Sequence, residues 1–203
     1  MRTAARFLSV VLHPVFMPTY IVWAMLTVDP GLAYFIHPDR RMIPLFMLAL
    51  MSAAFPLASI QLLVRARVID SLELHRREDR FLPYGITFIY YVISWYLMFR
   101  TPLHPAVPAV MAGASAALLF TLIITLQWKI SAHMVGIGGM VGALAAINSL
   151  HALDLFPLLT AIIVLAGMLG TARLLSSDHT QGQVIAGAVL GAGVTYASVT
   201  MLV

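Results

Sequence analysis

Cysteine is absent from the chain, which excludes disulfide bridges and thiolate-held metals but does not fix a compartment. Charge is scarce as well: Asp, Glu, Lys and Arg make up only 10% of the 203 residues, too few to coat a globular surface. No soluble domain, long linker or internal repeat stands out. The net positive charge of +4 lies in short segments between apolar blocks. It forms no basic face interleaved with aromatics, so it excludes nucleic acid as a partner and points to topology and anionic headgroups.

What the chain does have is hydrocarbon: 61% of it is hydrophobic. The apolar residues fall in blocks at about 5–28, 42–64, 84–99, 106–128, 134–150 and 155–175, with a last block running to Val203. A helix needs about twenty apolar residues to cross a bilayer. The pattern therefore predicts an all-α, polytopic membrane helical bundle with about seven transmembrane helices, in a single integral membrane domain over 1–203. His13-Pro14 and Pro18 interrupt the first block, which reads as a retained span kinked by proline rather than as a signal peptide.

Seven spans impose a parity on the connections. The second, fourth and sixth loops share one face with the N-terminus, and they hold residues 65–83, 129–133 and 173–183. That face carries Arg2, Arg6, Arg65, Arg67, Arg76, Arg77, Arg80, Lys129 and Arg173, against Arg40, Arg41 and Arg100 opposite. The positive-inside rule makes the richer face cytoplasmic, and the chain a multi-pass protein of the inner cell membrane.

The three loops also hold the residues with chemistry to offer. Arg173 can grip a phosphate through a forked pair of hydrogen bonds. His179 can act as nucleophile or acid–base group near neutral pH, and Gln183, four residues on, shares its face if a helix starts there. The plainer alternative is a helix-end arginine followed by a capping loop, Ser176-Ser177-Asp178, that opens the last span. Lys129-Ile130-Ser131-Ala132-His133 precedes a glycine-rich span; by itself it reads as a snorkelling lysine and an interfacial histidine. Arg76, Arg77 and Arg80 face Glu73, Glu78 and Asp79 in what reads first as a solvated loop. His13, His37, His104 and His151 are scattered and show no metal-ligand spacing. Gly138/Gly142 and Gly187/Gly191 suit close helix packing, a pattern that leaves a homo-oligomer open.

The spacing of Arg173, His179 and Gln183 resembles the third signature of the type-2 phosphatidic acid phosphatase superfamily. That signature reads Ser-Arg, five residues, His, three residues, Asp; here Ala172 and Gln183 stand for the serine and the aspartate. Ser131-Ala132-His133 resembles the second, Pro-Ser-Gly-His, with Ile130 and Ala132 in place of proline and glycine. The first, lysine, six residues, Arg-Pro, is matched only in position, because Phe81 and Leu82 separate Arg80 from Pro83. The resemblance implies a lipid phosphate or diphosphate phosphatase without metal or organic cofactor. His179 would form a phosphohistidine, Gln183 would orient it, and His133 would protonate the leaving oxygen. Arg173, Lys129, Ser131, Arg76, Arg77 and Arg80 would hold the phosphate. Membrane lipids and a lipid phosphate are the implied partners. A phosphotransferase of the same fold, or a non-enzymatic protein that binds or moves anionic lipids, fits the same residues.

Overall fold

The computed structural model describes residues 2–71, 77–176 and 179–203, with side chains from residue 5 onward. The first block opens as α1 (Arg2–Val11), breaks at His13-Pro14 into a 3₁₀ turn over Pro14–Phe16, and continues as α2 (Met17–Val28). Pro14 has no N–H to give the preceding turn, so the axis bends there. Asp29 then starts the short α3 (Pro30–Tyr34), its Oδ1 accepting from the N–H groups of Gly31 at 2.8 Å and Leu32 at 3.4 Å.

The second span is α4 (Met42–Ala49), a π turn at Leu50–Ala54, and α5 (Phe55–Arg65). Pro56 lacks the amide that an unbroken helix would use, and the π turn widens the chain just before it. The remaining spans are α6 (Phe81–Phe99), α7 (Ala106–Thr125), α8 (Ala132–His151), α9 (Phe156–Leu175) and α10 (Gln181–Leu202). A 3₁₀ turn at Glu78–Arg80 leads directly into α6, so the third span begins before the apolar block does. Seven helical segments are long and apolar enough to cross a membrane, and the described residues include no strand. The protein is an all-α, multi-pass membrane bundle.

Its interior is apolar and methionine-rich: Met17, Met25, Leu48, Met98, Met111, Leu144 and Ile147 are almost wholly buried. Trp23, Phe46, Ile89, Phe120, Ile163 and Val189 stay exposed on the outside, where a bilayer solvates them. The closest helix contact joins α8 to α10. A Cβ on Gly191 would lie 2.0 Å from the Val135 carbonyl oxygen, and one on Gly142 would lie 2.2 Å from that of Ala192. Gly138 and Gly187 are also confined, an added Cβ lying 2.3 Å from the Ala188 and 2.7 Å from the Ser131 carbonyl oxygen respectively, so both glycine pairs read from the sequence are used inside the chain. Lipid gives helices no hydrophobic reason to associate, so backbone contact of this kind supplies the attraction.

At the end remote from the polar loops, Asp29 Oδ2 accepts a hydrogen bond from His151 Nδ1, and the His104 ring packs edge-on against His151 at 5.5 Å. Burial would raise the Asp29 carboxyl, but hydrogen bonds from His151, Gly31 and Leu32 outweigh it and hold the group below the usual range. His151 thus ties the end of α8 to the start of α3, with His104 packed beside it.

The glycine contact makes a definite prediction. Gly191→Ala should lower stability by about 1–3 kcal/mol through overpacking. Gly193→Ala, with nothing within 4 Å of the added methyl, should be neutral or slightly stabilising. Thermal unfolding of the purified protein in detergent distinguishes the two.

Candidate functional site

The α8–α10 contact carries the N-termini of both helices to the same point. There the Ser131 N–H donates to the Gln183 carbonyl at 3.3 Å, although the two residues are fifty-two positions apart. The middle loop joins them from the other side. Arg80 Nη1 donates to the Ile130 carbonyl at 3.3 Å, and Arg77 Nη1 donates to the Gln127 carbonyl at 3.0 Å. The three polar loops therefore meet on one end of the bundle.

A cavity of about 160 Å³ opens among them, walled at its polar end by Arg80, His133, Arg173, His179 and His13. Tyr84 stands beside Arg80 in the wall, and Ile21, Ile60, Leu118 and Gly139, which lie further along their spans, line the rest, so the cavity changes from cationic to apolar toward the bundle centre. Arg80 is only 5% exposed, a guanidinium withdrawn from water and held by a backbone carbonyl. Desolvated guanidiniums attract anions far more strongly than exposed ones do.

Gln183 settles the state of His179. Its Oε1 lies 3.1 Å from the Thr180 N–H and 3.2 Å from His179 Nδ1. A backbone N–H can only donate, so the atom facing it is the amide oxygen, and His179 Nδ1 must donate to that same oxygen. Nε2 then keeps its lone pair. The bond to Thr180 belongs to a capping box, so Thr180, rather than the expected Ser176-Ser177-Asp178, starts α10. Ser177 and Asp178 lie outside the described residues.

His179 is 8% exposed. Burial, then the charges of Arg80 and Arg173, push its imidazole down to about 4, with Lys129 adding to the effect and the Gln183 bond opposing it. The ring is consequently neutral at pH 7. An ordinary histidine takes up its proton near pH 6.5, so between 6.5 and 4 the unfolded chain binds the proton and the folded chain does not. This contribution to stability is complete above pH 6.5 and is lost as pH falls toward 4.

The expected site residues separate into groups. Arg80, Arg173, His133 and His179 share the cavity wall, and Gln183 backs His179. Arg77 does not reach the wall: it is exposed, bonds the Gln127 carbonyl and pairs with Glu78 at 3.8 Å. Lys129 stands outside the wall and acts through its charge. Ser131 is buried, joined to α10 through its backbone, and its Oγ meets no hydrogen-bond partner among the described residues. Arg76 and Glu73 lie outside the described residues.

Residue spacing did not single out the contribution of the first span. The Ser9 carbonyl sits 3.1 Å from His133 Nε2, Ser9 Oγ accepts from Arg173 Nη1 at 3.5 Å, and His13 packs edge-on to His133 at 5.1 Å. A histidine within an apolar span was the available signal, since ionisable groups at membrane depth are costly.

No protein-family model, curated protein or solved structure matches the chain, so the site stands on its own geometry.

The charges around His179 lead to a measurable expectation. Its ring should titrate near pH 4 by NMR, the signal being assigned by its loss in His179→Ala. Arg80→Gln should move the midpoint upward, though still below 6.5, because burial remains.

Proposed function

We propose that the protein is a lipid phosphate or diphosphate phosphatase working through a phosphohistidine, related to the type-2 phosphatidic acid phosphatases. One observation carries the reading: two guanidiniums and a neutral, oriented imidazole share a cavity that turns apolar toward the bundle centre. The polar end suits a phosphate and the apolar depth suits the start of a hydrocarbon chain.

In this mechanism His179 Nε2 attacks phosphorus while Nδ1–H goes on donating to Gln183 Oε1. Arg80 and Arg173 bind the equatorial oxygens as charge shifts among them. The bond from phosphorus to the lipid oxygen breaks, and that oxygen takes a proton from His133. The Ser9 carbonyl accepts from His133 Nε2–H, so the proton moves through Nδ1, which first takes it from the hydroxyl of the singly protonated phosphate as the substrate binds. His133 Nδ1 next takes a proton from water as the hydroxide adds to the phosphohistidine, releasing phosphate and restoring His179. The net change is hydrolysis of one phosphate bond, and neither Arg77 nor Lys129 needs to touch the substrate.

The test is phosphate release by purified protein from phosphatidate, phosphatidylglycerol phosphate and a polyprenyl diphosphate. His179→Ala should abolish release while the protein stays folded. Arg173→Lys should lower it by about 10²-fold, since an ammonium cannot reproduce the fork. Gln183→Glu keeps both acceptor bonds, adds a charge that stabilises imidazolium, and should raise turnover. Release that is absent, or unchanged in His179→Ala, would end the phosphatase reading. Substrate consumed without free phosphate would instead mean transfer to a hydroxyl acceptor, and binding without turnover an anionic-lipid carrier.

We assign the site face to the cytoplasmic side of an inner cell membrane on the arginine and lysine asymmetry. A cysteine placed at Ser71 should resist an impermeant thiol reagent in intact cells, and labelling there would reverse the orientation.

A further inference from the structure

Three imidazoles wall the polar end of the cavity, and their ring nitrogens can be accounted for one by one. His179 gives its Nδ1–H to Gln183 Oε1 and keeps a lone pair on Nε2. His133 is held through Nε2, which faces the Ser9 carbonyl at 3.1 Å. His13 is fixed from the other side: its Nδ1 accepts the Val15 N–H at 3.5 Å, capping the 3₁₀ turn after the kink. An Nδ1 that accepts leaves the ring hydrogen on Nε2. His13 is thus a donor at the cavity wall whose tautomer is set by its own backbone.

Its place in the wall indicates what it would meet. The His13 ring stands edge-on to His133, with centroids 5.1 Å apart, whereas His179 is held on a different element, at the start of α10. A phosphate attacked from the His179 side presents its departing oxygen toward His133 and hence toward His13. Resting on the phosphatase reading, we propose that His13 is a catalytic residue whose Nε2–H hydrogen-bonds the oxygen leaving phosphorus. It supports the developing charge there while His133 delivers the proton. No proton leaves His13, so the proton count of the reaction is unchanged. The kink at His13-Pro14 acquires a purpose, since it turns this ring out of the helix and onto the site.

Two substitutions separate a donor from a structural cap. In His13→Asn, Oδ1 can replace Nδ1 as acceptor for Val15, so the turn is kept while the donor is lost. In His13→Gln the amide nitrogen reaches toward the Nε2 position, so the donor is kept while the cap is lost. Phosphate release from a lipid monophosphate and a lipid diphosphate, with thermal unfolding alongside, reads both roles. We expect His13→Asn to unfold like the unaltered protein but lose about 10²-fold in kcat with little change in KM. The loss should be larger for the monophosphate, whose leaving group is an alkoxide. His13→Gln should keep at least about tenfold more activity than His13→Asn, being short of only part of that donor's effect. The reverse order, with asparagine active and glutamine unstable, would make His13 a turn cap and overturn the assignment. An equal loss on both substrates would remove it from the leaving oxygen. Unaltered protein that releases no phosphate in a His179-dependent way would refute the phosphatase reading, and this proposal with it.

Discussion

The backbone-to-backbone approach of α8 and α10 is the constraint on which the rest of the molecule depends. Val135 and Ala192 offer their carbonyls to positions where only glycine leaves room, and Gly142 and Gly191 fill them. In a bilayer the attraction between helices comes from such close packing, because hydrocarbon surrounds them whether they associate or not. The consequence is local and chemical. With these axes in contact, Ser131 bonds the Gln183 carbonyl, and the turns bearing His133 and His179 open onto one cavity. A methyl group between the helices would be felt at the site as well as in stability.

The cavity concentrates positive charge where water is scarce. Arg80 is buried and anchored on the Ile130 carbonyl, Arg173 reaches Ser9, and burial together with these two charges keeps the His179 ring neutral. A neutral ring beside guanidiniums is what the proposed nucleophile needs: the cations favour an anion and deter the proton. Gln183 fixes the direction of the ring without adding a charge, and Thr180 fixes the direction of Gln183. The far end of the bundle follows the opposite logic. There a buried carboxylate, Asp29, meets His151 and two backbone N–H groups, and the local charges are satisfied among themselves.

The site is assembled from both ends of the chain. Ser9 and His13 come from the first span, and His179 and Gln183 from the start of the last. Proline makes this possible: an unbroken first helix would continue past the position where the 3₁₀ turn presents His13. The short α1 then lies over α9, placing the Ser9 carbonyl within reach of His133.

Residue order alone determined the class of the molecule. Sixty-one per cent hydrophobic content in helix-length blocks has no other stable form in a bilayer than spanning helices, which bond their own backbones. The parity of seven spans also brought the three polar loops to one face. It could not sort their members, because a loop's face says nothing about which side chain turns inward. Arg80 and Arg77 stand three residues apart, yet one is buried in the cavity wall and the other is exposed, clipping a loop. Nor could spacing reveal His13, one hundred and twenty positions from His133, because their contact depends on a kink angle and on the docking of α1. Periodicity is a one-dimensional property that hydrocarbon enforces directly. Which nitrogen faces which oxygen is decided only after the helices have packed, when the distances that govern hydrogen bonds and charges first exist.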